Sequence, residues 1–268
     1  MESISNQEAS ESGRNPSCDR SPSEPNPESS SSFSGLIDDL LRFVFHPECL
    51  LCGKPLSRVQ EYFCEECRAS AEEMQKPLCP LCRAEIDDAS VGCKSCVERE
   101  PISILWTCGL FDDFHRSLVH AIKYSGLTPL AVEMGVSIAD RIAATGKVPR
   151  IDVIVPVPLH WTRKKKRGFN QCDCIAEGVA ISLGIAVSTR ALSRKRRTLD
   201  QTGLSSQERI RNMQGAFEAR RAEDVRGKRV LLIDDVTTTG ATLNEAAEAL
   251  RLAGCRNVYA AVIAVASL

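Results

Sequence analysis

The apolar and polar positions after residue 101 alternate between two patterns. Unbroken apolar runs predict buried strands at residues 151–155, 229–233 and 257–265. Apolar residues at helical spacing predict helices over residues 114–122, 130–142, 170–183 and 242–252. Strands that alternate with helices favour a mostly parallel sheet with helices on its faces. Ligands bind such sheets at the carboxyl ends of the strands, so that edge is where a site is expected.

The first 100 residues follow neither pattern. Residues 1–34 are rich in Ser, Pro and Glu and predict a disordered tail, because they cannot bury enough apolar surface to offset the entropy of ordering. Residues 36–45 have apolar positions at helical spacing and predict a short helix. The sequence therefore divides into the tail, a helix with a cysteine-rich region over residues 35–100, and an α/β domain over residues 101–268.

Eight of the 13 cysteines form four Cys-x-x-Cys pairs, Cys49 and Cys52, Cys64 and Cys67, Cys79 and Cys82, and Cys93 and Cys96. Two such pairs complete a tetrahedral four-thiolate site, so the eight residues predict two structural Zn²⁺ sites. Sequential pairing makes two consecutive ribbons and is the favoured arrangement, although an interleaved cross-brace uses the same residues. A redox pair or a disulfide framework fits four pairs in series less well. His46 is a weaker candidate as a substitute ligand, and the other cysteines are expected to be reduced thiols.

A second candidate site begins where the apolar run 229–233 ends. Two acids follow directly, and a turn rich in threonine and glycine then opens the predicted helix, with the residues Asp234, Asp235, Thr237, Thr238, Thr239, Gly240 and Thr242. Backbone amides and hydroxyls at a helix start bind phosphate, which the helix dipole favours. Paired carboxylates suit a sugar diol or hydrated Mg²⁺. The alternative is an Asp-Asp turn that caps an ordinary helix. A nucleoside-triphosphate-binding loop is not indicated, because no Gly-x4-Gly-Lys motif precedes the predicted helix.

This segment resembles the ribose-5-phosphate loop of the type I phosphoribosyltransferases. Three further stretches narrow the resemblance from this superfamily to one family. They are Val-Pro-Val-Pro-Leu-His at residues 155–160, Lys-Arg-Gly-Phe-Asn-Gln at residues 166–171, and a polar motif over residues 197–217. Together with the four cysteine pairs, they resemble the ComF family of double-zinc-ribbon, phosphoribosyltransferase-like proteins, which includes the GntX proteins. The resemblance runs from about residue 38 to the end of the chain.

The resemblance implies a type I phosphoribosyltransferase fold that binds phosphoribosyl pyrophosphate (PRPP) with Mg²⁺. The implied catalytic residues are the two acids beneath the ribose and a cation of a flexible loop over residues 194–203, namely Asp234, Asp235 and Arg197. The implied PRPP-binding residues are those of the threonine–glycine turn, of the pyrophosphate loop and of the helix behind it, namely Thr237, Thr238, Thr239, Gly240, Thr242, Pro158, His160 and Arg167.

The net charge of −1 excludes a uniformly basic nucleic-acid coat, but the charge is segregated. Residues 1–40 carry a net charge of −6, whereas residues 160–214 carry +8. The basic segment includes the stretches that the resemblance places around pyrophosphate. The basic cluster at residues 163–167 is equally compatible with phosphate or nucleic-acid contact and with a solvated loop.

Two functions follow as hypotheses. The first is a PRPP-binding phosphoribosyltransferase-like protein that acts in DNA uptake and natural competence, or in purine-related salvage, with an unknown acceptor. The second is a non-enzymatic competence accessory protein that binds single-stranded DNA and a helicase or recombination partner. The sequence contains no pattern of a secretory signal or a membrane span, so a cytoplasmic protein is expected.

Overall fold

The computed structural model of this protein describes residues 48–56, 62–69, 77–79, 82–87, 101–146, 148–196 and 205–266. The predicted tail, the helix predicted over residues 36–45, and Cys93, Cys96 and Arg197 lie outside these residues. The boundaries proposed for the tail and for the cysteine-rich region therefore stay predictions.

Six strands, seven α-helices and a short 3-10 helix (Ala222–Asp224) form in the described residues. The strands are β1 (Leu105–Leu110), β2 (Val153–Pro156), β3 (Leu192–Arg194), β4 (Phe217–Ala219), β5 (Arg229–Thr237) and β6 (Asn257–Val265). The helices are α1 (Glu65–Ala69), α2 (Asp113–Tyr124), α3 (Thr128–Ala144), α4 (Trp161–Arg167), α5 (Gln171–Leu183), α6 (Ser206–Met213) and α7 (Ala241–Leu252). The four predicted helices of the α/β domain correspond to α2, α3, α5 and α7, and the three predicted strands to β2, β5 and β6.

The central sheet confirms the predicted α/β fold class. Its strands lie in the order β1-β6-β5-β2, and all neighbours are parallel. Strand β5 is longer than the apolar run that predicts it, because pairing with β6 continues through the two acids to Thr237, opposite Val265. Asp234 and Asp235 therefore belong to the strand itself, and the strand fixes their backbone.

Both faces of the sheet are covered, and β5 shows how its side chains divide between them. Leu231 and Ile233 pack against α2, α3 and α5, whereas Val230 and Leu232 pack against α7 and β4. This division follows from the two-residue period of a strand. Helices on both faces leave the carboxyl ends of β2 and β5 open side by side, which is where a ligand site is expected.

Six of these strands and α-helices were not predicted from the sequence: α1, β1, α4, α6 and the hairpin of β3 and β4. The hairpin pairs Arg194 with Phe217 in antiparallel register. Its first strand ends at Arg194, the first residue of the predicted flexible loop, and residues 197–204 lie outside the described residues. The basic cluster at residues 163–167 lies on α4 and is helical, not a loop.

The described ribbon residues pack directly on the sheet domain. Leu78 donates to the carbonyl oxygen of Leu105 at 2.7 Å and accepts from its amide at 2.9 Å, so the ribbon pairs with the edge of β1. The ring of Phe63 lies 4.5 Å from that of Phe114 on α2. No helix in the part of the chain that the structure describes is long and apolar enough to cross a membrane.

Candidate functional site

A cavity of about 760 Å³ opens at the carboxyl ends of β2 and β5. Six of the residues predicted to bind or act on PRPP line it, namely Pro158, Arg167, Asp234, Asp235, Thr238 and Thr242. Residues more than 70 positions apart in the sequence therefore meet at one site. Four other predicted residues do not line it, namely His160, Thr237, Thr239 and Gly240.

The residues of the threonine–glycine turn that do not line the cavity shape the turn. Thr237 is buried at the end of β5. Gly240 is the N-cap of α7 with φ +79°, a conformation that glycine adopts without steric cost. The Thr239 hydroxyl accepts a hydrogen bond from the Ala241 amide at 3.4 Å. The turn thus presents the start of an α-helix beside the cavity, which is the geometry that binds phosphate.

His160 has a structural position at the start of α4. Its buried ring accepts a hydrogen bond from the Thr162 amide and caps the helix. Gly168, with φ +88°, ends the same helix. Arg167 in its last turn donates to the side chain of Gln171 and lines the cavity. His160 therefore caps the helix whose last residue, Arg167, lines the cavity.

The two acids are buried and held by side chains from two helices. One oxygen of Asp235, Oδ2, accepts from Lys123 Nζ on α2 at 2.8 Å and from Gln171 Nε2 on α5 at 2.6 Å. Asp234 Oδ1 accepts from the Asp235 amide at 2.9 Å and from the thiol of Cys172 at 3.4 Å. The donors hold the carboxylate oxygens in fixed positions at the floor of the cavity.

The electrostatics of this cluster make Asp234 a readily protonated acid. Burial, together with the charge of Asp235, raises the pKa of Asp234 to about 7. Burial also acts to lower the pKa of Lys123, but the charge and hydrogen bond of Asp235 outweigh it, so the pKa is raised and the ammonium persists. Burial raises the pKa of Cys172 well above its usual range, so the thiol stays protonated and donates to Asp234.

Lys123 belongs to this cluster although no pattern in the sequence indicates it. Its only signal is a lysine at the end of a predicted helix, which is common and uninformative. Cys172, expected to be an ordinary reduced thiol, lies instead against a candidate catalytic acid. The exposed ring of Tyr124, next to Lys123, also lines the cavity, and the Arg167 guanidinium lies 5.7 Å from its centroid.

Four of the twelve basic residues in the segment 160–214 lie at the cavity. Arg163, Lys166, Arg167 and Arg194 line it together with Lys123. Arg194 lies on β3, with its guanidinium 5.5 Å from the centroid of the Phe217 ring. A cavity with two acids on its floor and several cations around it can hold a ligand that carries hydroxyls in one part and phosphates in another.

The first zinc site has the geometry that sequential pairing predicts. The sulfurs of Cys49, Cys52, Cys64 and Cys67 all lie within 4.8 Å of one another, with 3.7 Å between those of Cys52 and Cys64. Zn–S bonds of about 2.3 Å in a tetrahedron separate sulfurs by about 3.8 Å. Burial opposes ionisation of Cys49, but backbone hydrogen bonds outweigh it and lower the pKa of this thiol to about 6. The residues therefore fit Zn²⁺, and an interleaved arrangement is wrong for this site.

The third cysteine pair repeats the backbone of the first. The amide of Cys49 donates to the Lys54 carbonyl at 2.8 Å, and that of Cys79 donates to the Ala84 carbonyl at 2.8 Å. Cys79 and Cys82 therefore lie on a turn of the same form. We call residues 48–56, which carry Cys49 and Cys52, the first knuckle, and residues 77–79 and 82–87, which carry Cys79 and Cys82, the second knuckle. Its predicted partners, Cys93 and Cys96, lie outside the described residues.

Comparisons with known proteins match both the sheet domain and the cysteine-rich region of the chain. A model of the phosphoribosyl transferase domain matches residues 171–266, and a model of the double zinc ribbon domain matches residues 40–98. The DNA utilization protein YhgH of Salmonella typhi is 32% identical over 215 residues, which cover 78% of this chain and 93% of that protein. The chain belongs to the ComF family.

Other relatives of this ComF-family chain carry names of the same kind. The DNA utilization protein YhgH of Escherichia coli K12 is 32% identical over 80% of this chain and 93% of its own length. Competence protein F of Haemophilus influenzae is 28% identical over 80% of this chain and 95% of its own length. A solved allosteric regulatory enzyme of purine biosynthesis overlaps 49% of this chain and 25% of its own, at 23% identity and a TM-score of 0.35, too low to support an argument.

Proposed function

We propose that the cavity binds PRPP with Mg²⁺ and that this ComF-family protein acts in DNA uptake or DNA utilization. The observation that carries the proposal is that the two acids at the end of β5 and the helix start that follows them open to the same cavity. A ribose 5-phosphate needs both features, because its hydroxyls donate to carboxylates and its phosphate accepts from amides. The names of the relatives favour DNA handling over purine-related salvage.

In the proposed complex, each part of the ligand has its own partners. Asp234 and Asp235 accept hydrogen bonds from the ribose 2′- and 3′-hydroxyls. Thr238, Thr242 and the amides at the start of α7 bind the 5′-phosphate. The hard oxygens of the two acids also fit hydrated Mg²⁺, which neutralises the diphosphate when bound.

The same arrangement supports pentosyl transfer. The bond from C1 to pyrophosphate breaks, the electron pair leaves with pyrophosphate, and a bond from C1 to the acceptor forms. The ribose is cationic between these events, and the acids beneath it stabilise that charge. Pro158 and the cations of α4 lie where the diphosphate is expected, and Arg197 stays a predicted contributor. The acceptor has no assigned residues.

Calorimetric titration of PRPP with Mg²⁺ tests the proposal. We expect heat of binding with the wild-type protein and an affinity lower by at least about tenfold in Asp235→Asn, since a charged hydrogen bond to each hydroxyl contributes about 1.5–3 kcal/mol. Asp140→Asn is the matched control, because it neutralises an exposed carboxylate on α3, away from the cavity. Absence of binding by the wild-type protein contradicts the proposal.

A second candidate function, contact with single-stranded DNA, is favoured by one surface. The ring of Trp161 is 67% exposed at the start of α4, and Lys165 and Lys166 are exposed on the same helix. An aromatic ring beside cations binds single strands by stacking and by phosphate contact. This surface borders the cavity, so the two functions are compatible. The cytoplasmic location and the helicase or recombination partner stay predictions.

A further inference from the structure

Two cysteine pairs of the ribbon are each followed by an arginine that reaches the sheet domain. Arg68 follows Cys67, and its guanidinium lies 3.5 Å from a carboxylate oxygen of Glu133 on α3. Arg83 follows Cys82, and its Nη2 donates to the backbone carbonyl oxygen of Thr238 at 2.7 Å. The first contact is an exposed ion pair, whereas the second joins the ribbon to the turn beside the cavity.

The backbone of Arg83 is unusual. Its φ is +60°, and among the described residues no other non-glycine residue has a positive φ. In the first knuckle the equivalent position is Gly53, with φ +71°, and the amides of both residues donate to the first cysteine of their pair. Glycine adopts this conformation freely and arginine does not. An arginine here therefore opposes the local backbone preference, which points to a role for its side chain.

The guanidinium of Arg83 is hydrogen-bonded to the threonine–glycine turn that follows β5. Its Nη1 is buried without a hydrogen-bond partner among the described residues, so the Thr238 carbonyl holds the group in place. A peptide unit is planar and trans, so a bond that fixes the Thr238 carbonyl also fixes the direction of the Thr239 N–H. That N–H lies in the turn that the proposed function assigns to the 5′-phosphate.

We propose that Arg83 is a positioning residue through which the second knuckle orders the phosphate turn. Zinc at the second knuckle fixes the backbone of Arg83, and the hydrogen bond from Arg83 to the Thr238 carbonyl fixes the turn. Metal occupancy and phosphate affinity are then coupled, and the coupling acts in both directions, because an effect of one ligand on the other is reciprocal. The inference takes the identity of the ligand, PRPP, from the proposed function. The contact between Arg83 and the Thr238 carbonyl does not depend on that function.

Arg83→Gly is the sharpest test, because it installs the residue that the first knuckle has and removes only the side chain. We expect the affinity for PRPP with Mg²⁺ to fall about tenfold, the size of one charge-assisted hydrogen bond. Arg83→Lys should recover part of the loss. Arg68→Ala is the matched control, since it removes the equivalent arginine of the preceding pair, and should bind PRPP as the wild type does. Wild-type affinity in Arg83→Gly overturns the inference.

Zinc release supplies a second readout that does not depend on activity. With a chromogenic chelator, PRPP should slow zinc release from the wild-type protein several-fold and should have no such effect on Arg83→Gly. Equal slowing in both proteins contradicts the coupling.

A failure of the proposed function is distinguishable from a failure of this inference. If the wild-type protein binds no PRPP, hydrogen exchange of the ligand-free protein still tests whether Arg83 orders the turn. Amides of residues 238–242 should exchange about tenfold faster in Arg83→Gly and at the wild-type rate in Arg68→Ala. Unchanged exchange in Arg83→Gly overturns the inference.

Discussion

Lys123 places a positive charge beside two adjacent buried carboxylates, and this charge sets how the cavity responds to pH. Burial and the charge of Asp235 raise the pKa of Asp234, while Lys123 opposes the rise. The ionised form of Asp234 accepts hydrogen bonds from a ribose diol better than the neutral acid does. Affinity for PRPP should therefore increase as the pH rises through about 7, the pKa of Asp234.

Lys123→Met removes this charge with little change of side-chain length. Without it the pKa of Asp234 should rise further, and the pH at which PRPP affinity reaches half its maximum should move up by about one unit. Calorimetric titrations between pH 6 and pH 9 measure the shift. Lys165→Met, on the exposed side of α4, should leave the midpoint in place. An unshifted midpoint in Lys123→Met shows that its charge does not act on Asp234.

At the scale of single residues, the sequence pointed to the first four-thiolate set and to six of the residues that line the cavity. The four-thiolate set and the acids of β5 are each defined by neighbours in the sequence, so their patterns are visible without the fold. Lys123 could not be found in this way, because its role depends on where the end of α2 meets the end of β5. The carbonyl contact of Arg83 was invisible for the same reason, since 155 positions separate it from Thr238.

Among the helices, α3 and α5 cross closely because a glycine of each lies at the crossing. A Cβ atom on Gly135 would lie 2.1 Å from the Ile175 carbonyl oxygen, and one on Gly178 would lie 2.0 Å from that of Val132. Neither backbone can move without separating helices that cover one face of the sheet. The crossing therefore requires glycine at both positions.

We expect Gly135→Ala to lower the free energy of unfolding by about 1–3 kcal/mol, the usual cost of overpacking, even though alanine favours helix formation. Denaturant unfolding measures the change. Ser137→Ala on the same helix is the control and should alter stability by less than about 0.5 kcal/mol. Unchanged or higher stability in Gly135→Ala means that the two helices separate without cost.

Long periodic elements were predictable and short paired ones were not. Strand β6 and the first half of β5 are nearly continuous apolar runs, and α3 and α5 have clear helical periods, so hydrophobic pattern alone located these elements. The hairpin of β3 and β4 joins three-residue strands that lie more than 20 positions apart, and its stability comes from packing on the sheet. Such an element leaves no local signal.

At the scale of the whole molecule, the nearly neutral chain has a strongly basic segment over residues 160–214, and four of its cations face one cavity. If the exposed surface of α4 contacts single-stranded DNA, the affinity should fall steeply with salt, because bound phosphates release counterions. Lys165→Gln with Lys166→Gln should weaken binding and reduce the salt slope by about two. Fluorescence anisotropy with an oligonucleotide measures both.

Lys54→Gln is the matched control for this pair, because it neutralises an exposed lysine of the ribbon that is paired with Glu66. It should change neither affinity nor slope. A salt-insensitive affinity, or an unchanged slope in the double variant, excludes α4 as the DNA contact.

The pairing of Leu78 with Leu105 has a further consequence for the molecule. Strand β1 is the outer strand of its sheet, and the ribbon covers part of its open side. An uncovered strand edge is a template for pairing with another chain. Leu78 adjoins Cys79, so a chain that loses metal from the second knuckle also loses the cover over this edge. We therefore expect zinc at the second knuckle to protect the protein against aggregation, and metal starvation should first appear as insoluble protein.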